Sequence, residues 1–166
     1  MSRFNIVHAV VLTLLLHVTA VQHVDAQETT GSHLKGVTSV AVHVDTGAAP
    51  SVSMSQLETA LEQRLREAGI TVMPDQAPRV YGTQGRLFAK VMVLRRLGES
   101  QCTLAIQTRL YGSVVLAGSS ERAEAITWEN ERFVIISTSE IDTQVRENLN
   151  FLIDDFARAY RAANLK

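Results

Sequence analysis

The spacing of apolar positions changes along this chain, and each change marks an element. The stretch GVTSVAVHVD, residues 36–45, alternates, with Val40, Val42 and Val44 on one side and Ser39, Ala41, His43 and Asp45 on the other. That is the period of a half-buried strand. It closes at TGAAPS, a loop. Ser55 followed by Glu58 has the spacing of a capping box, and Leu57, Ala60, Leu61, Leu65 and Ala68 then recur at helical spacing up to Gly69. The glycine suits a left-handed cap, Ile70 can fold back on the last turn, and ITVM predicts a short second strand stopped by Pro74.

Residues 74–86, PDQAPRVYGTQGR, hold two prolines and two glycines and predict the longest loop. RLFAKVMVLRR and QCTLAIQTRLYG follow as strands on either side of Leu97-Gly98-Glu99-Ser100, a hairpin connection. After Gly118-Ser119-Ser120, RAEAITW is strand-like. FVII at 133–136 either continues that strand past a bulge or forms a further strand, and both remain open. The last helix is expected to start near Ser137, whose spacing to Glu140 repeats the capping-box signal. Its apolar stripe is Ile141, Val145, Leu149, Leu152, Ile153, Phe156 and Tyr160, with Asp142, Arg146, Glu147, Asp154, Asp155, Arg158 and Arg161 largely off it. The order β-α-β-β-β-α implies an α+β two-layer sandwich, a mostly antiparallel sheet with both helices on one face. One sheet face is then left open.

Ahead of this pattern, Arg3 and the apolar run Ile6 to Leu16 read as a signal peptide, too short and too often interrupted by His and Gln to span a bilayer. Val18-Thr19-Ala20 and Val24-Asp25-Ala26 compete as cleavage sites. The second gives a signal peptide at 1–26, a flexible mature N-terminus at 27–35 and one domain at 36–166. This places the protein in the periplasm or outside the cell, with no stable membrane insertion after cleavage. Cleavage removes Arg3 and Asp25, so the net charge stays at −1. Without a basic surplus, and with its arginines interspersed among Glu and Asp, the chain is not expected to bind nucleic acid. Its single cysteine, Cys102, excludes an internal disulfide.

The words SVAVHV, LEQRLREAGITV and the closing LIDDFARAYRAAN together resemble a group of small secreted bacterial proteins, mostly of unassigned function. The opening strand–helix–strand unit is similar in layout to the amino-terminal domain of TolB and to other envelope accessory modules. That group commonly closes on Asn-Pro, whereas Leu165 follows Asn164 here. The resemblance implies an envelope location and an accessory role, and carries over no functional residue.

Candidate chemistry is sparse. His43 and Asp45, two apart on a strand, share a side and could serve as a general base and its orienter, the arrangement a hydrolase would use. No nucleophile elbow accompanies them. His33, His43 and Cys102 lack metal-ligand spacing, so no metal and no cofactor is expected. Cys102 shares its strand side with Leu104, Ile106 and Leu110 and reads as a buried thiol. If those residues face the helices, then Gln107, Arg109 and Tyr111 face away, together with Phe88, Lys90 and Met92 on the neighbouring strand. Aromatic, Met and Arg side chains are enriched at interfaces. The leading expectation is a noncatalytic accessory module that contacts an envelope protein, or itself, through this face. A carrier of a small apolar or lipid ligand is the first alternative, and a hydrolase using His43 and Asp45 the second.

Overall fold

The computed structural model describes residues 32–47, 52–74, 82–95 and 100–164. Strand β1 (Ser39–Asp45) leads to helix α1 (Met54–Glu67), then to β2 (Thr71–Met73), β3 (Gln84–Arg95), β4 (Gln101–Val115) and β5 (Arg122–Ser137), and the chain closes on α2 (Ile141–Asn164). Short 3-10 turns stand at Ser32–Leu34 and Thr138–Glu140. This is the expected α+β arrangement, and the predicted short ITVM strand joins the three long ones, so the order is β-α-β-β-β-β-α. The sheet order is β2-β1-β3-β4-β5. β1 pairs in parallel with both neighbours over short registers, whereas β3–β4 and β4–β5 pair antiparallel over long ones. The sheet is therefore mixed, and antiparallel in most of its paired length. The signal segment and the tail at 27–31 lie outside the described residues.

Both helices cover one sheet face. Val40, Val42 and Val44 of β1, Leu87, Val91 and Val93 of β3, and Leu104, Ile106 and Leu110 of β4 share one core with Leu57, Leu61 and Leu65 of α1. Every member of the predicted α2 stripe, from Ile141 to Tyr160, is buried in the same core. Ala60 of α1 is exposed instead, displaced to the solvent edge of its helix. Cys102 is buried, as its strand parity implies. The helices run side by side in the same direction. Arg146 near the start of α2 donates to Gln56 near the start of α1, and eight residues further on along both helices Arg64 makes a paired contact with Asp154, at 2.7 and 2.6 Å.

The ends of α1 differ in detail from the expectation. Ser53, not Ser55, is the N-cap, and its hydroxyl accepts from the Gln56 N–H. Glu58 is drawn away from a capping box because β1 has a bare edge beside it. β2 pairs only with Ser39, Val40 and Ala41, and the Glu58 carboxylate accepts the Val44 N–H that β2 does not reach, at 3.0 Å. At the other end Gly69 takes φ +82°, and Ile70 N–H donates back to the Leu65 carbonyl while its side chain enters the core, as the sequence predicts.

Packing begins earlier than residue 36. Leu34 is fully buried, and Asn164 clasps this entry segment: its Nδ2 donates to the Leu34 carbonyl at 2.9 Å and its Oδ1 accepts the Gly36 N–H at 2.8 Å. Residues 32–35 therefore belong to the packed unit rather than to a free tail.

β5 resolves the question left open at 133–136. It is one continuous strand, and the register shifts between Leu110 and Tyr111: Leu110 faces Trp128 and Tyr111 faces Ile126, so Thr127 is an extra residue. The bulge lies upstream of the polar stretch 129–132, not within it. Its Thr127 hydroxyl donates to the Leu110 carbonyl, and the absence of a side chain on Gly112 leaves room for the Thr127 side chain, 3.1 Å from where a Cβ would stand.

Candidate functional site

The extra residue at Thr127 reverses which side of β5 faces inward, and so composes the face opposite the helices. Trp128 turns into the core and meets Phe156 edge-on, with ring centroids 5.1 Å apart. Beyond it Val134 and Ile136 point inward, while Glu129, Glu131, Phe133 and Ile135 point outward with Arg109, Gln107, Ala105 and Thr103 of β4, their register partners. The six residues singled out by sequence, Phe88, Lys90, Met92, Gln107, Arg109 and Tyr111, all sit half-buried on this open face. Alternation on β3 and β4 places them there.

Laid out by register, the face is a grid of rows that cross β3, β4 and β5. At one end stand Leu94, Thr103 and Ile135, and next to them Met92, Ala105 and Phe133. Leu94, Phe133 and Ile135 are 63%, 64% and 74% exposed. Three large apolar side chains this exposed, grouped around Met92 and the small buried Ala105, form an apolar patch that no other described residue covers. Sequence reasoning missed this patch. Its signal was FVII, four apolar residues in a row on a strand, which must place two on each face whatever the register.

The remaining rows are mainly charged and polar, with Phe88 in one of them and Ile126, 44% exposed, opposite Tyr111 in the last. Lys90, Gln107 and Glu131 make the middle row, where the Gln107 amide donates to Glu131 at 3.4 Å. Phe88, Arg109 and Glu129 follow, with Arg109 paired to Glu129 at 3.3 Å. In the last row Arg86 lies over the Tyr111 ring, 5.5 Å from its centroid, and reaches the Glu124 carboxylate at 3.2 Å. Arg86 Nε is buried and has no hydrogen-bond acceptor among the described residues. Across these rows the sign of charge is sorted by strand: basic groups stand on β3 and β4 and acidic groups on β5, where the basic Arg122 lies beyond them.

His43 and Asp45 do not work on one another. His43 stacks on Phe88, with centroids 5.3 Å apart, and its Nδ1 stands 3.7 Å from Glu58. The Asp45 carboxylate accepts the Gly47 N–H at 2.8 Å, closing the turn after β1. Among the described residues no group of three or more His, Cys, Asp or Glu is gathered as a metal site. Nor is any described helix long and apolar enough to cross a membrane. Between the layers, where an apolar ligand would have to sit, stand fully buried side chains, among them Phe156, Leu57, Leu61, Leu65, Leu149 and Leu152.

No family model matches the chain, and no curated protein sequence matches it. Similar solved structures include a PelC dodecamer from Paraburkholderia phytofirmans, 15% identical, covering 79% of this chain and 92% of that one with a TM-score of 0.46. A minor lipoprotein from Acinetobacter baumannii is 12% identical over 78% of this chain and 92% of its own, with a TM-score of 0.32. A hypothetical protein from Chlamydia trachomatis is 10% identical over 77% and 94%, with a TM-score of 0.36. All three are bacterial, and none is a TolB protein. At these identities and scores the likeness carries nothing of their assembly or role to this chain.

Proposed function

We propose that this protein is a noncatalytic, extracytoplasmic module of the bacterial cell envelope, periplasmic or secreted, that acts through protein–protein contact on its open sheet face. The observation that carries the reading is the apolar patch of Leu94, Phe133 and Ile135 beside Met92. A solvated sheet face is expected to be polar, and this one is so only away from the patch. The signal peptide read at 1–26 supports the compartment.

Phe133→Glu tests the reading. Phe133 projects to solvent, so the change disturbs little internal packing but puts a charge at the centre of any contact, where burial without a partner is costly. Crosslinks to other chains in the envelope should be lost, with thermal melting unchanged. Crosslinks that survive would remove this face from the account. The carrier and hydrolase readings gain no support: fully buried side chains stand between the layers, and Glu58 and Gly47 separately engage His43 and Asp45.

A further inference from the structure

We infer that the occupant of this face is a second copy of the same chain, docked about a two-fold axis that runs along β4; this rests on the contact function proposed above. Two sheets that pack face to face lie about 10 Å apart with strands within roughly 30° of alignment, and a two-fold axis between them has two simple settings. With the axis across the strands, β3 would lie on the partner's β3, basic groups on basic groups, and the apolar end would cover the charged end. With the axis along β4, each row meets the same row reversed. β3 then lies over the partner's β5.

That second setting matches the two apolar rows and the middle row of the grid. Lys90 falls opposite the partner subunit's Glu131, and Glu131 opposite the partner subunit's Lys90, because the two residues flank Gln107 in one row. Met92 meets the partner subunit's Phe133 by the same operation, and Leu94 the partner subunit's Ile135. The axis passes over Ala105, a small side chain that permits close approach, over Gln107, an amide that can pair with its own copy, and over Arg109, whose charge is held in each copy by its own Glu129. Asp45 is the one acidic group beside Lys90 in register. It lies on β1, beyond the partner's β5 in this setting, and is occupied by the Gly47 N–H. Self-complementarity of this kind is what an isologous interface requires, and charge sorted by strand supplies it.

Charge exchange tests the inference. Sedimentation equilibrium of the purified exported protein should show a dimer. Lys90→Glu and Glu131→Lys should each weaken it at least tenfold by setting like charges opposite one another, and the double variant should recover most of the loss. Thermal melting of each variant confirms that the fold is kept. Dimers indifferent to both single changes would overturn the inference, since the contact would then lie elsewhere, for instance at the long open edge of β5. Single losses without recovery in the double variant would also overturn it, because the two residues would not be opposite. A monomer at every concentration, together with envelope crosslinks that Phe133→Glu abolishes, would sink the two-fold contact and leave the proposed function standing with a different partner. Crosslinks that Phe133→Glu leaves intact would remove both.

Discussion

Phe156 is completely buried, in edge contact with Trp128 and 6.2 Å from the Tyr160 ring, while Arg158 two positions on is 72% exposed and pairs only with Asp155. Truncating Phe156 to Ala removes buried surface and leaves a cavity, an expected cost of about 3–5 kcal/mol. Arg158→Ala should cost less than about 0.5 kcal/mol. Denaturant midpoints compare the two, and equal midpoints would mean that α2 is not docked as described. The contrast follows from helical spacing alone, so sequence periodicity sufficed to find it. Roles that depend on contacts distant in sequence were hidden. Asn164 stood out only as a word in a resemblance, yet its side chain bonds residues 128 and 130 positions away and joins the two ends of the packed unit. Glu58 was assigned to a local box because nothing in the sequence announces how far β2 extends along β1.

At the scale of elements, Arg64 and Asp154 form the clearest tie between the helices. The Arg64 guanidinium hydrogen-bonds the Asp154 carboxylate and holds it below its ordinary pKa, against an opposing effect of partial burial; the same bond raises Arg64. A carboxylate with a depressed folded-state pKa contributes stability that is present above its unfolded value, about 3.9, and lost as pH falls through the folded value. Both side chains remain more than a third exposed, so solvent screening keeps the contribution under about 1 kcal/mol. The gap in stability between wild type and Asp154→Asn should therefore hold from neutral pH to about 5 and narrow below about 4. A gap that widens in acid would contradict this pairing. Strand parity was legible for β3 and β4, where alternation is unbroken, and so placed the six candidate face residues correctly. It failed for β5, because one extra residue at Thr127 exchanges its faces and moves Trp128 inward. Bulges obey pairing geometry rather than composition, which is why the acidic column and the exposed Phe133 and Ile135 could not be assigned from sequence.

For the whole molecule, two amphipathic helices need one apolar surface, and the layered fold follows from that need before any register is known. The same economy leaves a second sheet face to be explained, and its explanation depends on how three strands align. One end of it is apolar, and its charges are divided between β3 and β5. The most direct measurement is hydroxyl-radical footprinting of the protein in its native envelope and again after purification and dilution. Phe151, 49% exposed on α2 with the Arg132 guanidinium 4.1 Å from its ring centroid, serves as the internal reference. We expect Met92 and Phe133 to be labelled strongly in the dilute protein and to be protected in the envelope, with Phe151 labelled alike in both. Equal labelling of Met92 and Phe133 in the two states would mean that nothing covers the open face, and the contact function assigned to it would be wrong.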